Sequence, residues 1–373
     1  MRVEYFNIST NHAATDDFVT YSLERTRSLP LLDLRYENYI DCQSKDLIEH
    51  IATNFEYYLI IGMGGASLNP KMYKAFKDNP KVFVIDNLDA FVVDNILSQL
   101  NLSKTAVISI SKSGYTYETI CLTEYVINKF QKSGVIIKDK LFAITNTDTK
   151  LYNIINLHGG KSIPHKMNIN GRFCTFSNVG FLMSKLIGFE YKEILFYAKE
   201  YYEKLFDKRN IGFIKNFLSF HSNHDSQVLF TYGNVVNVAS KWLAQIFAES
   251  SGKNANGLTP ICSEGPMDQH SQLQLYLEGP KNKTFHLMLN SPYESYQDLA
   301  SSMFKEYDIL ESLFVEDGYP VKKTFIDRMC EQSFAEFVML NIMECILYCW
   351  FVGSNPFSQP SVDKIKRMSK ELL

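Results

Sequence analysis

Glu249 and His270 are the side chains of this sequence best suited to moving protons. Both stand in the stretch 245–275, QIFAESSGKNANGLTPICSEGPMDQHSQLQL. Glu249 closes an apolar-periodic segment and is followed by Gly252 and Lys253, while His270, preceded by Gln269, opens a second amphipathic segment. A carboxylate and an imidazole brought together on loops are the parts that proton transfer on an unactivated small molecule requires. Val238, Trp242, Gln245 and Glu249 recur at helical spacing, so Gln245 and Glu249 share one face near the helix end. A glutamate at a helix end is usually solvated. Here the apolar face carries it inward, and the negative end of the helix dipole disfavours the ionised form, which suits a base.

A second stretch, 111–119 (SKSGYTYET), offers a place for a phosphate. Ser111, Ser113, Thr116 and Thr119 put hydroxyls at a strand-to-helix turn, with Gly114 relieving the turn and Lys112 beside it. The first turn of the following helix leaves backbone N–H groups for an anion. An ordinary Ser/Thr-capped helix is the simpler account, but it does not need so many hydroxyls together. Gly62-Met63-Gly64-Gly65 lacks both the dinucleotide fingerprint and the nucleotide P-loop spacing. It reads as a tight turn that lets a ligand approach the backbone. Arg172, in NINGRFCTFS, can steady an anionic intermediate or pair with an acid. Taken singly, His270 has the profile of a structural histidine, and Lys366 that of a solvated residue in a basic C-terminal segment. His221 and His224 fall in a polar stretch with no cysteine nearby, so solvation is expected there rather than a metal.

Short apolar runs alternating with helical patterns must position these residues. Strands are expected at 57–61, 82–85, 105–110 and 141–145, with helices up to Leu100 and over 115–130. After helical sequence around 191–220, the alternation resumes with a strand at 227–232, a helix over 235–249 and a strand at 284–289. This order predicts an α/β protein of two domains, each a parallel sheet covered by helices, with a polar piece from Gly353. The join is expected near 186–210, giving domains 1–190 (including an N-terminal segment) and 191–352, and a tail 353–373. No Pro- or Ser-rich linker marks the join, so the domains are expected to pack closely. Ligands of parallel sheets bind beyond the carboxyl ends of the strands, where 62–69, 111–116 and the loop after Thr145 all fall.

The 373 residues are 46% hydrophobic with a net charge of −3, enough for full cores and against a broad nucleic-acid or membrane surface. Seven scattered cysteines show no disulfide framework and suit a reducing compartment. The N-terminus has no apolar signal region, and the apolar stretch 334–352 contains Glu336, Asn341 and Glu344, so a buried core helix is expected rather than a membrane span. A cytoplasmic location follows as the expectation.

Taken together, IGMGGASLNP (61–70), SKSGYTYET (111–119), NGRFCTFSNVG (170–180), QIFAESSGK (245–253), GPMDQHSQLQL (265–275) and NPFSQPSVDKIK (355–366) resemble the glucose-6-phosphate isomerase, or phosphoglucose isomerase, family. The phosphate loop alone is shared with other sugar-isomerase (SIS) domains; ES-x-GK with QH is much more specific. The resemblance, to a short bacterial-type member, implies interconversion of glucose 6-phosphate and fructose 6-phosphate in glycolysis and gluconeogenesis. It implies two SIS-type three-layer αβα sandwich domains with a C-terminal helical tail that contributes to the active site, no cofactor or metal, and a homodimer with the site at its interface. By position it implies that Glu249 shuttles a proton between C1 and C2 through a cis-enediol(ate). His270, with Lys366 assisting, opens the sugar ring, and Arg172 faces the enediolate. Ser111, the backbone N–H of Lys112, Ser113 and Thr116 cradle the phosphate, Gly64 and Gly65 lie against substrate, and Gln245 and Gln359 position it. Ala66 stands where the family usually has a substrate-touching Ser, for which Ser67 is the nearest substitute; Asn69 replaces a usual Gly and Cys174 a usual Ser. Two other readings fit parts of the pattern: an isomerase that also accepts mannose 6-phosphate, and a non-catalytic SIS sensor, which would not need Glu249, His270 and Lys366 together. The metal-dependent cupin isomerases are disfavoured, since no H-x-H pair occurs.

Overall fold

The computed structural model describes residues 1–9, 14–35, 40–166, 168–222, 224–291 and 297–370. The strands among them are, in chain order, β1 (Arg2–Phe6), β2 (Tyr57–Gly62), β3 (Val82–Ile85), β4 (Thr105–Ser111), β5 (Leu141–Thr145), β6 (Lys161–Pro164), β7 (Ser226–Tyr232), β8 (Thr259–Glu264), β9 (Lys283–Asn290) and β10 (Val321–Ile326). They form two sheets in two compact units, one of residues 1–32 with 196–358, the other of 33–195 with 359–373.

The unit of residues 33–195 and 359–373 holds the sheet β3-β2-β4-β5-β6, parallel throughout. All seven residues of β4 are buried, as expected of a central strand covered on both faces. Leu59, Ile61 and Val107 from the sheet pack with Leu122, Val126 and Phe130 from the helix Tyr117–Lys132. The register aligns the carboxyl ends: Gly62 sits opposite Ile110, Ser111 opposite Thr145, and Thr145 opposite Pro164. The turns expected to carry chemistry therefore leave one edge of this sheet.

In the other unit the order is β1-β10-β9-β7-β8, parallel except for β1, which runs antiparallel to β10. Val228, Phe230, Phe285, Leu287 and Val321 from the sheet form its core with Phe314 from the helix Gln297–Glu316. The helix Glu331–Phe351 is long and apolar enough to cross a membrane, but 83% of its apolar window is buried inside the structure. Its Glu344 pairs with Lys322 of β10 and accepts a 2.8 Å bond from Tyr5 Oη of β1. An acid within an apolar run is thus paired with a lysine inside a strand.

The division between the units falls at 195/196, and neither unit is a single stretch of sequence. Residues 1–32 belong with the second sheet because β1 pairs with β10, Arg2 standing opposite Phe325. Residues 359–373 return to the first sheet's unit, where the helix Pro360–Lys370 lies. His221 departs from its expected solvation. It is 2% exposed and packs against Phe217, Phe220, Phe247 and Tyr348.

Candidate active site

The turn 111–116 is built as its residue types demand. Gly114 takes φ +63°, and a Cβ there would lie 2.1 Å from Thr149 Oγ1, so only glycine fits between the turn and the helix Lys150–Leu157. Gly114 N–H donates to Ser111 Oγ at 3.1 Å, and the Ser111 and Thr116 hydroxyls share a 2.9 Å bond. Thr116 occupies the N-cap of the helix Tyr117–Lys132, but its side chain makes no capping bond to the first-turn amides. Those N–H groups are therefore not capped by Thr116, at the positive end of a 16-residue helix. Thr119 is buried and its hydroxyl has no partner among the described residues.

Three cations of the same unit bear on this turn. Burial first, then the positive charges of Lys366 and Arg172, holds the Lys112 ammonium below the usual lysine value. Lys366 and Arg367 share a cavity of about 480 Å³ with Ser113, Tyr115, Pro360 and Asp363. An anion in this region lowers the mutual repulsion of the cations. His165, at the end of β6, is held neutral down to about 4, chiefly by burial and further by the Lys112 charge.

Arg172 lies in the 3₁₀ segment Gly171–Phe176 and is 2% exposed. Its Nη1 donates to Gln359 Oε1 at 2.9 Å, and the Gln359 amide donates to Asp363 Oδ1 at 3.1 Å. The C-terminal helix thus orients the guanidinium through Gln359. Gly64 (φ +56°) and Gly65 form the turn after β2, and a Cβ on Gly65 would lie 2.2 Å from Gly171 O. The glycine turn and the Arg172 segment are therefore in direct backbone contact. Ser67, next to Ala66, is 1% exposed and its Oγ donates to Gly64 O at 3.0 Å, shaping the turn from inside.

Glu249, Gln245 and His270 belong to the other unit. Glu249 lies in the last turn of the helix Asn234–Ser251, half-buried, and accepts a 3.1 Å bond from Gln245 Nε2 one turn earlier. Lys253 donates to the carbonyls of Glu249 and Ser250, neutralising the negative end of that helix. The side chain that follows the Gly thus fixes the last turn, and with it the position of the carboxylate. His270 is exposed on the short helix Met267–Ser271. Asp268 anchors that helix, accepting from Glu264 N at 2.7 Å and Ser271 Oγ at 2.6 Å.

Sequence reasoning did not single out Tyr115, Asn170, Asp363 and Arg367. Asp363 carried a usable signal, four residues beyond Gln359 and so on the same helical face. Asn170 also donates to Gln359 Oε1, at 3.3 Å, a contact across 189 residues with no local signal.

A parallel sheet with a hydroxyl-lined turn, an uncapped helix N-terminus and clustered cations at its carboxyl edge defines a sugar-phosphate protein of the SIS class. A sequence model of the family described as phosphoglucose isomerase matches residues 41–264, and the chain belongs to that family. A probable glucose-6-phosphate isomerase of Haloquadratum walsbyi is 30% identical over 338 residues, covering 84% of this chain and 79% of that protein. The glucose-6-phosphate isomerase of Campylobacter jejuni is 27% identical, covering 99% of this chain and 95% of its own length. Among solved structures, a hypothetical protein of Thermus thermophilus superposes with a TM-score of 0.81 at 22% identity, covering 96% and 94% of the two chains, which shows the shared fold.

Proposed function

We propose that this chain interconverts glucose 6-phosphate and fructose 6-phosphate through a cis-enediolate, using the residues described above in distinct roles. Family membership makes it an aldose–ketose isomerase. Glu249 carries the proton between C1 and C2, held at a fixed angle by Gln245. Arg172 stabilises the oxygen on which negative charge develops, its guanidinium oriented by Gln359. His270, assisted by Lys366, transfers the proton that opens the ring. Ser111, the Lys112 N–H, Ser113 and Thr116 hold the phosphate, and the Gly64–Gly65 turn lets the sugar approach the backbone.

The observation that carries this reading is the charge pattern at the carboxyl edge of the first sheet. The charges of Lys366 and Arg172 bear on Lys112, in the unit where the Ser111 and Thr116 hydroxyls share a bond and the following helix N-terminus has no side-chain cap from Thr116. A phosphate and an enediolate oxygen are the two anions that such a site can separate and hold. Binding energy at the phosphate then orients the reacting end of the sugar. Among the described residues, no three His, Cys, Asp or Glu side chains group as metal ligands do, and no disulfide joins any of the seven cysteines. The functional form is a homodimer in the cytoplasm, His270 serving the site of the partner subunit.

The test is direct. Purified protein given fructose 6-phosphate should produce glucose 6-phosphate, read by a coupled dehydrogenase, at a rate unchanged by added chelator. No turnover in either direction, or loss of turnover with the chelator, would overturn the proposal.

A further inference from the structure

We infer that Asn69 is a positioning residue, through which the glycine turn and the Arg172 segment are locked together so that the guanidinium meets the enediolate. The inference rests on the reading of Arg172 given above. Asn69 lies in the helix Gly65–Phe76 and is wholly buried. Its Nδ2 donates to Gly65 O at 2.6 Å, and reaches Gly171 O and Cys174 Sγ at 3.4 Å each. Its Oδ1 accepts from the Thr175 hydroxyl. The Cys174 thiol closes the loop, 3.8 Å from Gly65 O. One carboxamide therefore bonds both sides of the gap across which Gly65 and Gly171 touch.

Arg172 sits between those anchors, one residue after Gly171 and two before Cys174. A second tie, Tyr73 Oη to Thr175 O at 2.9 Å, holds the same segment to the same helix one turn further on. Buried amides whose donor and acceptor ends are both engaged fix geometry in a way that apolar contact does not. Two of the three departures noted in the sequence, Asn69 and Cys174, prove to be contact partners, so the chain uses them as one unit. A group that holds Arg172 for an oxygen charged only in the transition state acts on kcat and leaves the phosphate grip, and so KM, alone.

A double-mutant cycle tests this, with kcat, KM and Tm measured on the full chain. Arg172→Ala alone reports on the reading of Arg172: unchanged kcat would overturn that reading and this inference with it. Where Arg172→Ala is slow, Asn69→Ala should lower kcat about tenfold, with KM for fructose 6-phosphate within about twofold. In the Arg172→Ala background the same change should cost less than about twofold. An equal loss of kcat in both backgrounds, or a loss in Tm with kcat intact, would overturn the role of Asn69 and leave that of Arg172 standing. Thr175→Val removes the hydroxyl donor at nearly constant volume and should show the same coupling. It decides the question if Asn69→Ala does not fold.

Discussion

At the scale of single residues, His221 shows how a polar type can be placed for a packing reason. Four aromatic rings surround it, and neither ring nitrogen has a hydrogen-bond partner among the described residues. Burial, then the charges of Lys322 and His224, holds it well below the ordinary histidine value; His286 is likewise held well below, and His165 at about 4. Each is neutral in the fold and titrates near 6.5 in the unfolded chain, so the unfolded chain binds more protons in the window between. Stability from these groups is complete above about pH 6.5 and is lost as pH falls toward the folded values, each histidine contributing a slope of about 1.4 kcal/mol per pH unit. His221→Phe keeps the ring contacts and removes the titrating group. Its Tm should exceed that of the parent at pH 5.5, by a margin that shrinks toward pH 7.5. A margin independent of pH would show that proton uptake at His221 plays no part.

Elements position the chemistry here by register. The strand ends of β2, β4 and β5 align, so turns distant in sequence leave one edge. Thr116 is the residue that joins the turn proposed to hold phosphate to its helix, through the bond it shares with Ser111. Thr116→Val should raise KM about tenfold with little change in kcat, since a phosphate grip serves ground and transition states alike; a fall in kcat at constant KM would count against a phosphate role. The strands that frame this edge were legible because buried parallel strands are short apolar runs ended by Gly or Ser. The same holds for β7, β9 and the helix carrying Gln245 and Glu249. Four strands were not legible. In β10, Lys322 and Lys323 interrupt the apolar pattern, and Lys322 is buried there by pairing with the buried Glu344. In β8, Pro260 and a largely exposed pattern mark an edge strand that reads as loop. β6 has one buried residue, Ile163, and β1 finds its partner more than 300 residues away. Among site residues, types and roles were suggested by short motifs. The Arg172–Gln359 bond and the Asn69 clamp arise from tertiary packing, which periodicity does not record.

For the whole molecule, the question is which chain completes which site. Glu249 ends one helix, and His270 stands exposed on a short helix of its own beyond the strand β8. An exposed catalytic imidazole that acts on its own chain needs nothing from a partner; one that serves the partner subunit makes each site of a two-fold dimer depend on both chains. Glu249→Gln removes the proton acceptor at constant shape, so kcat should fall by about 10²-fold or more. His270→Ala should slow ring opening and leave the base intact. Mixed in equal amounts, unfolded and refolded together, the two variants should give mixed dimers as about half of all dimers. If His270 reaches across, one site of each mixed dimer carries both defects and the other carries none. About a quarter of parental activity should then return, although each variant alone is nearly inactive. If His270 acts within its own chain, every site keeps one defect and nothing returns. Mass measurement under native conditions establishes that mixed dimers have formed. No recovery in their presence would confine His270 to its own chain, and absence of any dimer would remove the shared site altogether.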